Sequence, residues 1–237
     1  MSMKKNKTFW FFILFFVFFS SACFASSLSI LEKAMEKIAP EIIGTGRNYR
    51  VNFLNTSISD ILTGNIKHNL IQADDVELKN TPIMENVKIH LFDINYDLKK
   101  INSVKNPSFI VIFNEYSLNK FIENKKLSFP LSVRIKNNDL LIRTTQKIQG
   151  CDIPLELQGM AVCDGNKKIN LAVKTVKASF IPLPKFICEM IQKNINPVID
   201  LENSPSIDKI ESIKALDAKL MVSGKAKINT PIYFKKL

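Results

Sequence analysis

Apolar and polar residues follow two different rhythms along the chain. From Leu28 to Ala39 the residues Leu31, Met35 and Ile38, continued by Ile42, recur at helical spacing, and Ser29 with Glu32 makes a capping-box pair. This predicts an amphipathic helix that Pro40, Gly44 and Gly46 end or bend. Over 49–113 the rhythm becomes alternation, in Val76-Glu77-Leu78, in Val87-Lys88-Ile89-His90-Leu91 and in Phe109 to Phe113. Strands are predicted there, separated by turns at Asp74-Asp75, Thr81-Pro82 and Asn106-Pro107. A helix follows from its cap Asn114 to about Asn124, with Leu118, Phe121 and Ile122 on its apolar face.

Three strands come next, near 133–149, 153–163 and 168–180, the last two joined by the turn Asp164-Gly165-Asn166-Lys167. Pro184 then stands at the first position of a helix whose apolar face is Phe186, Ile187, Met190 and Ile191, and Asn196-Pro197 closes it. A mostly polar connection leads to a final strand, Lys219 to Ile228.

The hairpin of 153–180 carries an unusual pattern. With Cys163 opposite Lys168, Val162 pairs with Ile169 and Met160 with Leu171 near the turn. Farther out the pairs are Leu157 with Lys174, Leu155 with Val176 and Ile153 with Ala178, which have the opposite parity. A long, strongly twisted sheet that buries opposite faces at its two ends accounts for this, with Gly159 marking a bulge or bend at the switch. The alternative is a sheet half-buried on both faces.

The N-terminus stands apart in composition. Eight of the 17 Phe lie in the first 25 residues, together with the only Trp, Trp10, and Lys4, Lys5 and Lys7. Three lysines, the unbroken apolar run Phe9 to Phe19, and Ala22-Cys23-Phe24-Ala25 follow the plan of a secretory signal peptide cut after Ala25. The apolar run is too short for the ~20 residues a membrane-spanning helix needs. A retained N-terminal anchor and lipoprotein processing at Cys23 are the alternatives, the second disfavoured by Ser20 where a lipobox would want Leu. Export predicts a periplasmic or secreted protein, with 26–237 as a single domain by size.

Removal of the three leader lysines lowers the formal net charge from +11 to +8. Arg47, Arg50, Arg134 and Arg143 are the only arginines, and the lysines are spread over many segments, which argues against nucleic acid as a partner. An exported basic surface more naturally meets anionic lipid headgroups or envelope polymers, and Lys99-Lys100, Lys125-Lys126, Lys167-Lys168 and Lys235-Lys236 are the candidate clusters. Cys151, Cys163 and Cys188 remain after export, an odd number that leaves at least one thiol unpaired. Cys151 and Cys163 bracket one predicted strand and lie too far apart to pair, so all three read as small buried hydrophobes. His68 and His90 have no carboxylate or thiol at metal-ligand spacing, and the chain has no HExxH, CxxC, GxSxG or glycine-rich phosphate loop. No catalytic residue, metal site or cofactor is predicted.

Several stretches resemble the LmeA-like phospholipid-binding proteins. Asp60-Ile61-Leu62-Thr63-Gly64 with Ile66 and Ala73-Asp74-Asp75-Val76 is similar to that family's leucine, glycine and alternating-strand opening. Phe113-Asn114-Glu115-Tyr116-Ser117-Leu118-Asn119 is similar to its strand-to-helix step. Ile181-Pro182-Leu183-Pro184, then Asn196-Pro197-Val198-Ile199-Asp200-Leu201, Pro205 and Met221-Val222-Ser223-Gly224 fit its C-terminal part. The resemblance covers nearly all of 28–228, and the lysine content and the three cysteines depart from the pattern.

The resemblance implies an α+β fold of the tubular lipid-binding (TULIP) kind, a long, strongly twisted antiparallel sheet wrapped around helices, with an elongated apolar tunnel. It implies a non-enzymatic protein that binds phospholipid or another acyl lipid, and transfers it, at an anionic membrane surface. Shielding matters because each CH₂ exposed to water costs ~0.8 kcal/mol. The lining candidates are Leu118, Phe121 and Ile122 on one helix and Leu183, Phe186, Ile187, Met190 and Ile191 on the other, each of which also reads as plain core. The alternative function is an envelope adaptor that binds a protein or polymer and carries no lipid.

Overall fold

The computed structural model describes residues 29–233 except 98, 125–129, 149, 165, 203 and 205. The predicted leader and the clusters Lys125-Lys126 and Lys235-Lys236 lie outside the described residues. The first helix, α1 (29–43), runs past Pro40 and ends at the glycines, where the Gly44 N–H donates to the Pro40 carbonyl at 3.0 Å. Its predicted face is the buried one: Met35, Ile38 and Ile42 are core, and Leu31 packs against it.

Two open antiparallel sheets follow, where a single wrapped sheet is expected from the sequence. The larger is ordered β1 (Thr45–Leu54), β2 (Asn65–Glu77), β3 (Met84–Tyr96), β4 (Lys100–Asn114), β12 (Lys219–Ala226), β11 (Ile207–Leu216), with β13 (Ile232–Tyr233) on β4. The smaller is ordered β10 (Ile199–Asp200), β8 (Lys168–Ala178), β7 (Cys151–Cys163), β6 (Asp139–Ile148), β5 (Leu131–Lys136), with β9 (Ile181–Pro182) on β8. Three helices complete the chain: α2 (Ile58–Leu62), α3 (Glu115–Asn124) and α4 (Lys185–Ile195). This is an α+β architecture dominated by antiparallel strands. One buried apolar cluster draws on α1 and on both sheets, from Ile71, Leu91, Phe113 and Val222 to Ile135, Leu157 and Leu171.

Several predicted turns lie inside strands. Asp75 and Asn106 are within β2 and β4, with φ of 50° and 46°, a left-handed conformation that Asp and Asn tolerate better than most residues. Asp75 and its counterpart Asp93 in β3 (φ 45°) mark changes of buried face. The pairs Asn69–Leu91, Ile71–Ile89 and Ala73–Val87 are buried on one parity, and Ile66–Ile94 and Val76–Met84 on the other. The span 133–149 is two strands, not one. Asn137 and Asn138, with φ of 29° and 71°, form the two-residue turn between β5 and β6.

The 153–180 hairpin differs from its predicted register. Cys163 faces Ile169, Ala161 faces Leu171 and Leu157 faces Val176, with a register shift at Gln158/Gly159 that leaves Lys174 as the extra residue on β8. Because the bulge absorbs the change of parity, one face stays inward, through Leu157, Gly159, Leu171, Ile169 and Val176. Met160 and Val162 therefore point outward, and the opposite-face reading of this hairpin is corrected. The predicted bulge at Gly159 is present, and a Cβ there would stand 2.5 Å from the Ala172 carbonyl oxygen.

Strand β11 replaces the predicted polar connection. Its apolar residues Ile207, Ile210 and Ile213 are three apart because register shifts leave Asp208 and Glu211 as extra residues. The turn ends of the smaller sheet are tied to this strand: the Ile210 N–H donates to Asn166 O at 2.8 Å, and the Asn138 N–H to Ala215 O at 3.1 Å. The opposite end of the smaller sheet, carrying Leu131, Leu155 and Ala178, has no hydrogen bond to β11 among the described residues and is in that sense its free end.

Candidate functional site

The helices that carry the lining candidates lie along the two edges of the smaller sheet. On α3, Asn114 caps the first turn by accepting from the Ser117 N–H at 2.8 Å. Asn119 then acts as a strand mimic toward β5: its Oδ1 accepts from the Val133 N–H at 2.7 Å and its Nδ2 donates to the Val133 carbonyl at 2.9 Å. Glu115 accepts from the Ile135 N–H at 2.5 Å. The other edge repeats this arrangement. Asn196 accepts from the Leu171 N–H at 2.7 Å and donates to its carbonyl at 3.1 Å, while Gln192 accepts from the Val173 N–H at 3.0 Å. In both cases two side chains four residues apart satisfy a strand edge that would otherwise present unpaired backbone groups.

Leu118 is buried, and Ile122, Leu183 and Ile191 pack against the core. Phe121 and Ile187 are half-buried, whereas Phe186 is 67% exposed and Met190 54%. The strands to which the two helices are tied, β5 and β8, are three strand spacings apart, ~14 Å, and Leu118, Ile122, Leu183 and Ile191 join the same apolar cluster from its two sides.

The sequence reading missed the groove at the free end of the smaller sheet. It has a volume of about 550 Å³, within the ~300–1,000 Å³ range of small-molecule sites. Pro130, Leu131, Pro154, Leu155 and Phe180 give it an apolar wall. Thr144 and Thr145 supply hydroxyls, and Arg143 pairs with Glu156 at 2.9 Å on the same lining. The turn after β8 presents Phe180, 94% exposed, and β9 begins with Ile181, 70% exposed. Leu183, whose N–H donates to the Val176 carbonyl at 2.8 Å, brings the start of α4 and Phe186 to this end. The only advance signal for the groove is Phe180-Ile181-Pro182 itself, because its other walls come from three separate strands.

A second cluster lies on the larger sheet. His68 and Phe92 are register partners with rings stacked at 4.5 Å, and His68 Nε2 stands 2.9 Å from His90 Nδ1. Burial, His68 and Lys88, in that order, hold His90 below the ordinary histidine range. Among the described residues no group of three or more His, Cys, Asp or Glu converges on a metal position. Cys188 is buried, but Cys163 is half-buried and Cys151 exposed, and all three are free, which corrects the reading of three buried hydrophobes.

No protein-family model, curated protein or solved structure matches the chain. Among the described residues, no helix is long and apolar enough to cross a membrane.

Proposed function

We propose that this is an exported, non-enzymatic protein that binds phospholipid and passes it between membranes, holding an acyl chain in an apolar tunnel of the TULIP kind. The observation that carries the reading is the groove beside Phe180: apolar walls, two threonines and the Arg143–Glu156 ion pair lie together at the end of the smaller sheet away from β11. An acyl chain entering there would exchange water for Leu131, Leu155 and Phe180, at ~0.8 kcal/mol per CH₂ buried. A phosphate at the groove would take the place of Glu156 as the partner of Arg143, whose guanidinium matches phosphate geometry. The resemblance of the sequence to LmeA-like proteins points the same way.

The test is native mass spectrometry, with lipid extraction, on protein isolated from an exporting host. Stoichiometric phospholipid is expected, reduced by Leu155→Asp. A protein that stays lipid-free after incubation with liposomes would instead favour the adaptor, which needs no acyl-chain site.

A further inference from the structure

The exposed apolar side chains at the free end of the smaller sheet are arranged for a bilayer. Phe180 stands on the turn after β8 and Ile181 on β9, while Phe186 and Met190, four apart, share the outward side of α4. That helix runs back from this end along β8 toward the Val173 and Leu171 contacts of Gln192 and Asn196. Pro182 and Pro184 stiffen the connection between β8 and α4. Leaving four large apolar groups in water is costly unless something covers them, and contiguous exposed apolar residues mark interaction sites. Their surroundings identify the partner. At this end the described charged residues are Arg143, Lys147, Lys177 and Lys185 against Asp152 and Glu156, so the balance is basic. Apolar groups flanked by lysines complement the acyl boundary and the anionic headgroups of a membrane surface. The opposite end of this sheet is bonded to β11, whereas among the described residues this end makes no such bond.

We propose that the free end of the smaller sheet is a membrane-insertion edge: Phe180, Ile181 and Phe186 enter the interface of an anionic phospholipid bilayer while Lys177 and Lys185 meet its headgroups. The inference rests on the lipid-binding reading and names the surface through which lipid reaches the groove, since Phe180 belongs to both.

The chain offers a clean reporter because its only tryptophan is Trp10, in the predicted leader. In protein from an exporting host carrying Trp10→Phe, a Phe180→Trp variant is mixed with vesicles of phosphatidylglycerol or phosphatidylcholine whose acyl chains carry bromine. Strong quenching by phosphatidylglycerol, about tenfold weaker binding to phosphatidylcholine, and similar weakening by Phe186→Asp are expected. Leu216→Trp, 51% exposed at the β11–β12 turn near Asn138, is the control and should stay unquenched. No quenching at position 180, or equal quenching at 216, overturns the insertion edge. Bound lipid is measured on the same samples by mass. Cargo without quenching rejects the edge and keeps the lipid reading, whereas absence of both rejects the two together.

Discussion

At the scale of single residues, His90 and Gly224 carry the sharpest consequences. His90 is held below the usual histidine range, so the folded protein resists protonating it more than the unfolded chain does. Its contribution is therefore complete above the unfolded value of ~6.5 and is lost as pH falls through the lowered folded value. Urea midpoints should drop between pH 7.5 and 5.5, and His90→Gln should flatten that drop; an unchanged pH profile in the variant would remove this role. Gly224 is needed for a different reason. A Cβ there would lie 1.9 Å from the Lys209 carbonyl oxygen and 2.9 Å from Ile210 Cα, backbone atoms of the bulged β11 strand. Gly224→Ala is expected to cost about 1–3 kcal/mol in chemical denaturation, because the strand must move rather than a side chain.

At the scale of elements, the long strands are shaped by residues that usually make turns. Asp75, Asp93 and Asn106 put left-handed kinks inside β2, β3 and β4, while Asn137 and Asn138 make a true turn. The local chemistry was legible in Asp74-Asp75 and Asn106-Pro107; whether it ends a strand or bends it depends on the neighbouring strand, which a linear reading lacks. β11 was hidden for the same reason, since two bulges turned its alternation into the three-residue spacing Ile207, Ile210, Ile213. The helix-borne amides are the other elemental device. Removing Asn196 leaves both backbone groups of fully buried Leu171 without their partner, so Asn196→Ala should cost about 1–3 kcal/mol. Amide exchange at Leu171 should quicken in the same variant. Exchange that stays as slow as in the parent would mean that α4 is held by apolar packing alone.

At the scale of the molecule, α1 and two open sheets share one apolar cluster, and the smaller sheet projects a free end away from β11. A ligand bound by the folded form alone adds stability in proportion to the logarithm of its saturation. A short-chain phospholipid at 100 times its dissociation constant should add ~2.7 kcal/mol and raise Tm by roughly 5–10 °C. Differential scanning of the protein with and without such a lipid checks this. An unmoved Tm at saturating lipid would count against the groove as its site.

Helical spacing in 31–42, alternation in β2 to β4, the cap at Asn114 and the bulge at Gly159 were each determined by the sequence, because each depends on neighbours a few residues away. Tertiary structure alone decided the division into two sheets, the hairpin register, the meeting of His68 with His90 and the groove beside Phe180. Those features depend on which strand edge is paired, which is tied down by an amide, and which is left open. Such choices are made by contacts between residues distant in sequence, as when Asn196 reaches back to Leu171 and Thr144 to Pro130.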